Sequence, residues 1–368
     1  MSVYITGTGA YLPGPAIDND RIEQILGLVH GKASRLKQKI LAANGIKRRH
    51  YAINEQHQTL ESNAELAAQA GQRCLQSVGL APAAVSLLSV ATSQGDLVLP
   101  GFGSMVQAQM QLPDLELHTS HGICSSSMMA LKTAYTGILA GEHANALVIA
   151  SELSSRLFKA SRYEAAGGKL DFNAEFLRWM LSDGAGALLL ENRPRGTCLR
   201  VDWIKGFSHA DAYPVCMTVG QPRPGSAWPS WQDYPSYAAA EADGALLLRQ
   251  DVRLLDNIVK VGVDGYLRLL DQQQLAVADI DHVLCHYSSD HFRSKIFAML
   301  SKAGAMVPEE RWYTNLYERG NTGCASIFIM LDEFMRTAQP KPGSTILCMV
   351  PESGRFNTMY MLVTVMAE

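Results

Sequence analysis

The chain has 368 residues, 47% of them hydrophobic and 18% charged, with a formal net charge of −3. That length exceeds one average domain and supplies enough apolar material for a well-buried globular protein. The balance of charge gives no global reason to expect a nucleic acid or an anionic membrane as partner, and the longest apolar runs are too short to span a bilayer.

Short apolar runs alternate with helical patterns along the whole chain. Residues 3–6 read as a strand that turns at Gly7-Thr-Gly9. Residues 18–28 read as a helix with Asp18 as its N-cap, and 59–78 as a longer amphipathic helix rich in Ala and Gln. A strand over 85–91, a helix over 103–111 and a strand over 115–119 lead to a turn at Cys124. A helix over 125–140 and a fully apolar strand over 146–151 follow. Small residues at 182–187 form a turn before a strand at 188–191. The second half repeats this grammar: helix 251–270, strand 280–286, helices 294–303 and 322–336, then strands 345–350 and 359–365. Strands alternating with helices predict α/β layers, and their apolar character predicts sheets covered on both faces. The chain divides on this reading into two similar halves, 1–195 and 196–368, with no residue-level repeat between them.

One stretch breaks the pattern. Residues 206–237 hold Pro214, Pro222, Pro224, Pro229 and Pro235 together with Trp228, Trp231, Tyr213, Tyr234 and Tyr237. A segment of this kind is either a lid over a substrate or a packed surface loop.

Seven cysteines, an odd number without a CxxC pair, argue against a zinc or redox motif. Several lie in apolar strands, where a reduced thiol acts as a small hydrophobe, and a reducing cytoplasmic compartment is expected. The N-terminus has no basic region or cleavage site and does not read as a signal peptide.

Cys124 stands out among the seven. The stretch 121–131 reads His-Gly-Ile-Cys-Ser-Ser-Ser-Met-Met-Ala-Leu, with small residues around a thiol where an extended segment gives way to a helix. A helix start lowers a thiol pKa, and the first-turn N–H groups of Ser125, Ser126 and Ser127 are placed to hold an oxyanion. The plain alternative is a buried structural thiol. His286 ends the apolar segment 280–286, at the carboxyl end of a strand where open α/β sheets bind ligands; the alternative is a rim histidine. His282, four residues earlier on the strand, is too distant to share an ion with it, so no metal site is expected. Asn321 lies in Arg-Gly-Asn-Thr-Gly-Cys-Ala-Ser before a helix, as a third polar helper or as an N-cap. Gly7-Thr-Gly9 lacks the third glycine of a dinucleotide loop, and no Walker, G-x-S-x-G or HExxH motif is present.

Taken in order, these segments resemble the β-ketoacyl-acyl-carrier-protein synthase III family of thiolase-fold condensing enzymes. The resemblance runs over nearly the whole chain. It rests on the openings at 7–13 and 45–49, the Cys124 turn, Leu-Val-Ile-Ala-Ser-Glu at 147–152 and Ser-Asp-Gly-Ala-Gly-Ala at 182–187. His286, the Asn321 segment at 320–326 and Ser353-Gly354 complete it. It implies a five-layer αβαβα fold of two similar halves and a dimer as the minimal unit. It implies that Cys124 takes an acyl group from a thioester. His286 and Asn321 would then stabilise the enolate formed as a malonyl-type substrate loses carbon dioxide. The amides of Cys124 and Ser353 would form the oxyanion hole. Coenzyme A or acyl-carrier-protein thioesters would be substrates, and no cofactor is expected.

The departures carry information too. The family's His-Gln-Ala-Asn reads His-Tyr-Ser-Ser at 286–289, and its glycine-rich C-terminal turn reads Pro-Glu-Ser-Gly-Arg-Phe at 351–356. The Trp and Arg that often clamp coenzyme A are missing from 37–43, which speaks against acetyl-CoA priming. Leu99 stands where many relatives place an aromatic that enters the partner subunit's acyl pocket, so a pocket larger than acetyl is expected. Arg293, Lys295 and Lys302 form either a docking patch for acyl carrier protein or a solvated helix face. Two other readings remain: an acyltransferase that does not decarboxylate, and a non-catalytic partner of a heterodimeric ketosynthase. The retained Asn321 argues against the first and the intact Cys124, His286 and Asn321 against the second. Fatty-acid initiation and a specialised-metabolite route are both open.

Overall fold

The computed structural model describes residues 2–167, 171–222, 225–273 and 275–367; Pro224 of the proline-rich stretch lies outside them. Ten strands join in one hydrogen-bonded sheet made of two five-strand halves of the same design. The first half contains β1 (Tyr4–Tyr11), β2 (Leu87–Thr92), β3 (Glu116–His121), β4 (Asn145–Glu152) and β5 (Gly184–Glu191). The second contains β6 (Cys198–Ser208), β7 (His282–Cys285), β8 (Trp312–Tyr313), β9 (Thr345–Glu352) and β10 (Asn357–Met366). The spatial orders are β3-β2-β4-β5-β1 and β8-β7-β9-β10-β6. In each half the first three strands of that order run parallel, and the last three pair antiparallel. The halves join where β1 meets β6, with Tyr4 opposite Arg200 and Ile5 opposite Leu199.

Helices cover every face. α1 (Asn63–Val78) and α2 (Phe102–Met110) pack on the outside of the first half, in a core with Leu88, Val90, Leu147 and Leu189. α3 (Ser126–Ala140) and α6 (Ser326–Ala338) lie between the two halves and share one core with strands of both. α4 (Leu255–Gln272) and α5 (Asp290–Lys302) cover the outside of the second half. The result is the five-layer αβαβα arrangement. α1 starts at a capping box, in which Ser62 Oγ accepts from the Glu65 N–H and the Glu65 carboxylate accepts from the Ser62 N–H. A fourth apolar cluster, with Ile22, Ile40, Phe158, Trp179 and Met180, forms a cap beside the layers.

Four expectations change. The turn expected at 182–187 gives way to strand from Gly184, whose small residues pair on both sides within the sheet. β1 runs straight through Gly7-Thr-Gly9 rather than turning there, because α1 lies against it: a Cβ on Gly9 would stand 2.5 Å from the Cys74 nitrogen. The helix expected over 18–28 shrinks to Ile22–Leu26; Asp18 belongs to a short strand, and its Oδ1 accepts the Asp20 and Arg21 N–H groups in a turn before the helix. β6, the strand that links the two halves, was not expected at all. Its apolar Leu199, Val201 and Ile204 are interleaved with Arg200, Asp202 and Lys205, which hides it from a search for apolar runs. No described helix is long and apolar enough to cross a membrane.

The sheet is pressed between helices at two glycines. Gly9 meets α1, and a Cβ on Gly186 would stand 2.6 Å from the Phe328 Cβ of α6. Gly9→Ala and Gly186→Ala should each lower stability by about 1–3 kcal/mol, as overpacking against backbone does. Urea unfolding of the purified variants measures this; an unchanged midpoint in both would contradict the close approach.

Candidate functional site

β3 ends at His121 and α3 begins at Ser126, so Cys124 sits in the short connection between strand and helix, 5% exposed. Its counterpart in the second half is the connection before α6. Cys324 precedes Ser326 by two residues, as Cys124 precedes Ser126, and Asn321 lies three residues before Cys324. The two central helices thus start close together, near the junction of the halves. A cavity of about 810 Å³ opens there, with Cys124, Glu152, Asn321 and Ser353 on its wall.

Asn321 is held by its backbone. The Ser182 N–H donates to its carbonyl (2.8 Å), and its own N–H donates to the Met180 carbonyl (3.2 Å). Its Oδ1 accepts the Gly323 N–H (3.0 Å), which leaves the amide NH₂ as the remaining polar end. His286 follows the last residue of β7, and its N–H donates to the Met349 carbonyl of β9 (2.9 Å). Its ring is buried, and Nε2 has no partner among the described residues. Burial lowers its pKa to about 4, so the imidazole is neutral near pH 7. His286 itself is not on the cavity wall, but Ser288, two residues on, is.

The helix start does not acidify the sulfur as expected. Burial pushes the Cys124 pKa well up, and the carboxylates of Glu352 and Glu152 push in the same direction, against the effect of its own amide. Nor are the first-turn donors all open. The Ser125 N–H donates to Glu352 Oε2 (3.0 Å) and the Ser126 N–H to the Ile123 carbonyl (3.0 Å). Ser353, the other expected oxyanion residue, lines the cavity, with its Oγ 3.4 Å from Gln250 Oε1.

Both glutamates escaped sequence reasoning. Glu152 accepts the Ser93 N–H (3.3 Å), the Ser93 hydroxyl (2.5 Å) and the Cys324 N–H (3.2 Å), and burial raises its pKa. A signal existed for Glu352: a carboxylate where the terminal turn is usually glycine-rich. Its partner on α3 could not have been guessed from so great a sequence distance.

The wall is mostly apolar. Leu153, Leu157, Phe176, Leu177, Met180 and Leu247 supply one side of it. The proline- and aromatic-rich stretch supplies another through Val215, Met217, Val219, Pro229 and Trp231, so this segment covers the cavity. Leu99 is 82% exposed and does not reach the wall of its own chain, whereas its neighbour Val98 does. On α5, Arg293 pairs with Glu309 (2.6 Å) and Lys295 with Asp256 (2.5 Å), leaving Lys302 as the exposed cation of the three without an ion pair among the described residues.

Comparison with known proteins finds two family models. Residues 120–205 match 3-oxoacyl-[acyl-carrier-protein] synthase III, and residues 270–354 match the C-terminal part of the same family. The chain is 27% identical over 330 residues to β-ketoacyl-[acyl-carrier-protein] synthase III 1 of Lactiplantibacillus plantarum, covering 89% of each. Among solved structures it is similar to the tetronic acid condensing enzyme AbyA1, with a TM-score of 0.79, 21% identity and coverage of 98% of this chain and 99% of that one. It is also similar to the synthase III of Aquifex aeolicus (TM-score 0.75, 21% identity, 98% and 99% covered). A third is Xanthomonas campestris OleA with bound lauric acid and lauroyl-CoA (TM-score 0.76, 17% identity, 99% of each covered).

The His286 ring makes a testable contribution to stability. Its pKa is about 4 in the fold against 6.5 when free, so the unfolded chain takes a proton that the native chain refuses. The contribution is whole above pH 6.5 and is lost as pH falls toward 4. Asp183, raised to about 6 by burial, acts with the opposite sign but is common to wild type and variant. His286→Asn should therefore lose less stability than wild type on acidification, measured by urea unfolding at stepped pH. Equal slopes would contradict a neutral buried ring.

Proposed function

Because the chain belongs to the 3-oxoacyl-[acyl-carrier-protein] synthase III family, we propose that it is a condensing ketosynthase that loads an acyl group on Cys124 and extends it with a malonyl-type thioester. The observation that carries this reading is one cavity whose wall holds Cys124, Asn321 and Ser288, with the ring of His286 buried two residues from Ser288 and its Nε2 without a partner among the described residues. A buried polar atom without a partner calls for one, and a substrate carbonyl supplies an acceptor.

In the first step the Cys124 sulfur attacks an acyl thioester. The carrier thiol leaves, and the proton of Cys124 goes to that leaving thiol. In the second, a malonyl-type thioester loses carbon dioxide. The enolate oxygen accepts hydrogen bonds from His286 Nε2–H and from the Asn321 amide. The enolate carbon attacks the acyl carbonyl, whose oxygen is held by the Cys124 and Ser353 amides. The tetrahedral adduct collapses to a β-keto thioester and expels the Cys124 thiolate, which takes a proton from solvent to restore the thiol. The neutral state of His286 suits a donor to an oxygen that gains charge.

The apolar wall and its cover favour an acyl group larger than acetyl. A neighbour of the same fold is described with bound lauric acid. The reading calls for no resident cofactor, since coenzyme A or carrier-protein thioesters are the substrates. Its working unit is a cytoplasmic homodimer in which Leu99, within an exposed apolar run of three residues, enters the acyl pocket of a second copy. Acyl carrier protein would dock on the α5 side, where its acidic groups compete with Glu309 and Asp256 for Arg293 and Lys295 and meet Lys302 directly.

Incubating the pure protein with acyl thioesters of rising length and weighing it intact tests the loading step. Acyl groups longer than acetyl should appear at one site and vanish in Cys124→Ala; loading restricted to acetyl contradicts the pocket assignment. Leu247→Trp should shorten the longest chain accepted. His286→Ala and Asn321→Ala should still load but release carbon dioxide from a malonyl thioester at least about 100-fold more slowly. Acyl transfer to an alcohol or amine without carbon dioxide release would favour the non-decarboxylating acyltransferase.

A further inference from the structure

Two carboxylates act on Cys124, and the reaction derived above uses neither. Glu352 is the more telling. It is the last residue of β9 and reaches Cys124 from the other half of the chain. It is 9% exposed, and its Oε2 accepts both the Ser125 N–H (3.0 Å) and the Ser125 hydroxyl (2.6 Å). The Ile123 amide bonds to the same carboxylate. The residues on either side of Cys124 are thus held by one side chain. Asn357 stands opposite Glu352 in the β9–β10 register and donates from Nδ2 to Ser125 Oγ (2.8 Å). The end of one hairpin therefore grips the whole loop. The fit is tight: a Cβ on Gly354 would stand 2.6 Å from Ile123 Cδ1 and 3.1 Å from Glu352 Oε1.

The start of a helix carries unpaired N–H groups and a positive potential, and a thiol placed there is ordinarily activated. At α3 the donors adjoining the sulfur face a carboxylate instead. The charged side chains acting on Cys124 are Glu352 and, across the cavity, Glu152. His121 at the end of β3 faces Glu352, Cys324 before α6 faces the sulfur as a thiol, and His286 beyond β7 is neutral.

We propose that Glu352 is a positioning residue for the nucleophile loop: its carboxylate takes the backbone donors of Ile123 and Ser125 on either side of Cys124, fixes the loop, and opposes the field of the helix start that would otherwise activate Cys124. The free protein then carries a thiol that resists small electrophiles. Acylation depends on proton removal inside the filled cavity. The inference does not depend on which acyl group is loaded or on whether carbon dioxide leaves.

The test is the rate of alkylation of Cys124 by iodoacetamide in the full-length protein, followed by peptide mass across a range of pH. Glu352→Gln keeps the shape and removes the charge. Its alkylation profile should move to lower pH, with a several-fold faster rate near neutrality. Asn357→Ala loosens the loop and keeps the charge; its melting temperature should fall while the profile stays in place. An unchanged or upward-moved profile in Glu352→Gln would overturn the proposal. So would a downward move of equal size in Asn357→Ala, since loosening rather than charge would then set reactivity. If Glu352→Gln does not fold, Ser125→Ala decides. It removes one bond to the carboxylate and leaves the charge less compensated, so its profile should stay or move up, and a downward move counts against the proposal.

Discussion

The placement of two helix starts side by side at the seam between two half-sheets is the constraint on which the rest of the structure depends. α3 and α6 each bury an apolar face, and both faces belong to one core shared with strands of both halves. That packing puts the connections before the two helices in register, and Cys124 and Asn321 arrive at one cavity from opposite ends of the chain. The glycines at 9 and 186 serve the same end, letting helices press on both faces of the first half-sheet. Site geometry here is a product of layer packing rather than of a local motif.

Burial sets the electrostatics of the site. A dry seam raises the cost of charge, so the Cys124 thiol and the His286 imidazole are both held in their neutral forms. The two buried glutamates are tolerated because each is tied down by backbone and hydroxyl donors, and both tie together segments from different halves. Glu152 joins β4 to the loop before α6, as Glu352 joins β9 to the loop before α3. The carboxylates thus act as cross-links across the seam as well as neighbours of the sulfur. The proline- and aromatic-rich stretch lines the remaining side with apolar groups from Val215, Met217, Val219, Pro229 and Trp231.

Much of this was legible in the sequence where local chemistry decides. The small residues around Cys124, the strand end at His286 and the glycine-flanked Asn321 mark element termini, and termini are where such folds place functional groups. What stayed hidden depends on distant partners. β6 was missed because its charged face interleaves with its apolar face. Gly7-Thr-Gly9 has the local character of a turn, and nothing in its own sequence says that α1 presses on it. The cations of α5 gave no sign that Glu309 and Asp256 engage two of them. Glu352 lies 227 residues from Ser125, and no reading of either segment alone connects them.

The most direct test of the central claim follows carbon dioxide in a single turnover. Protein carrying an acyl group on Cys124, freed of excess donor, is mixed with a malonyl thioester labelled in its free carboxyl carbon. The account predicts one labelled carbon dioxide for each acyl group lost from Cys124, with the β-keto thioester as product. Loss of the acyl group without labelled carbon dioxide, or release of the label while the acyl group stays on Cys124, would contradict it.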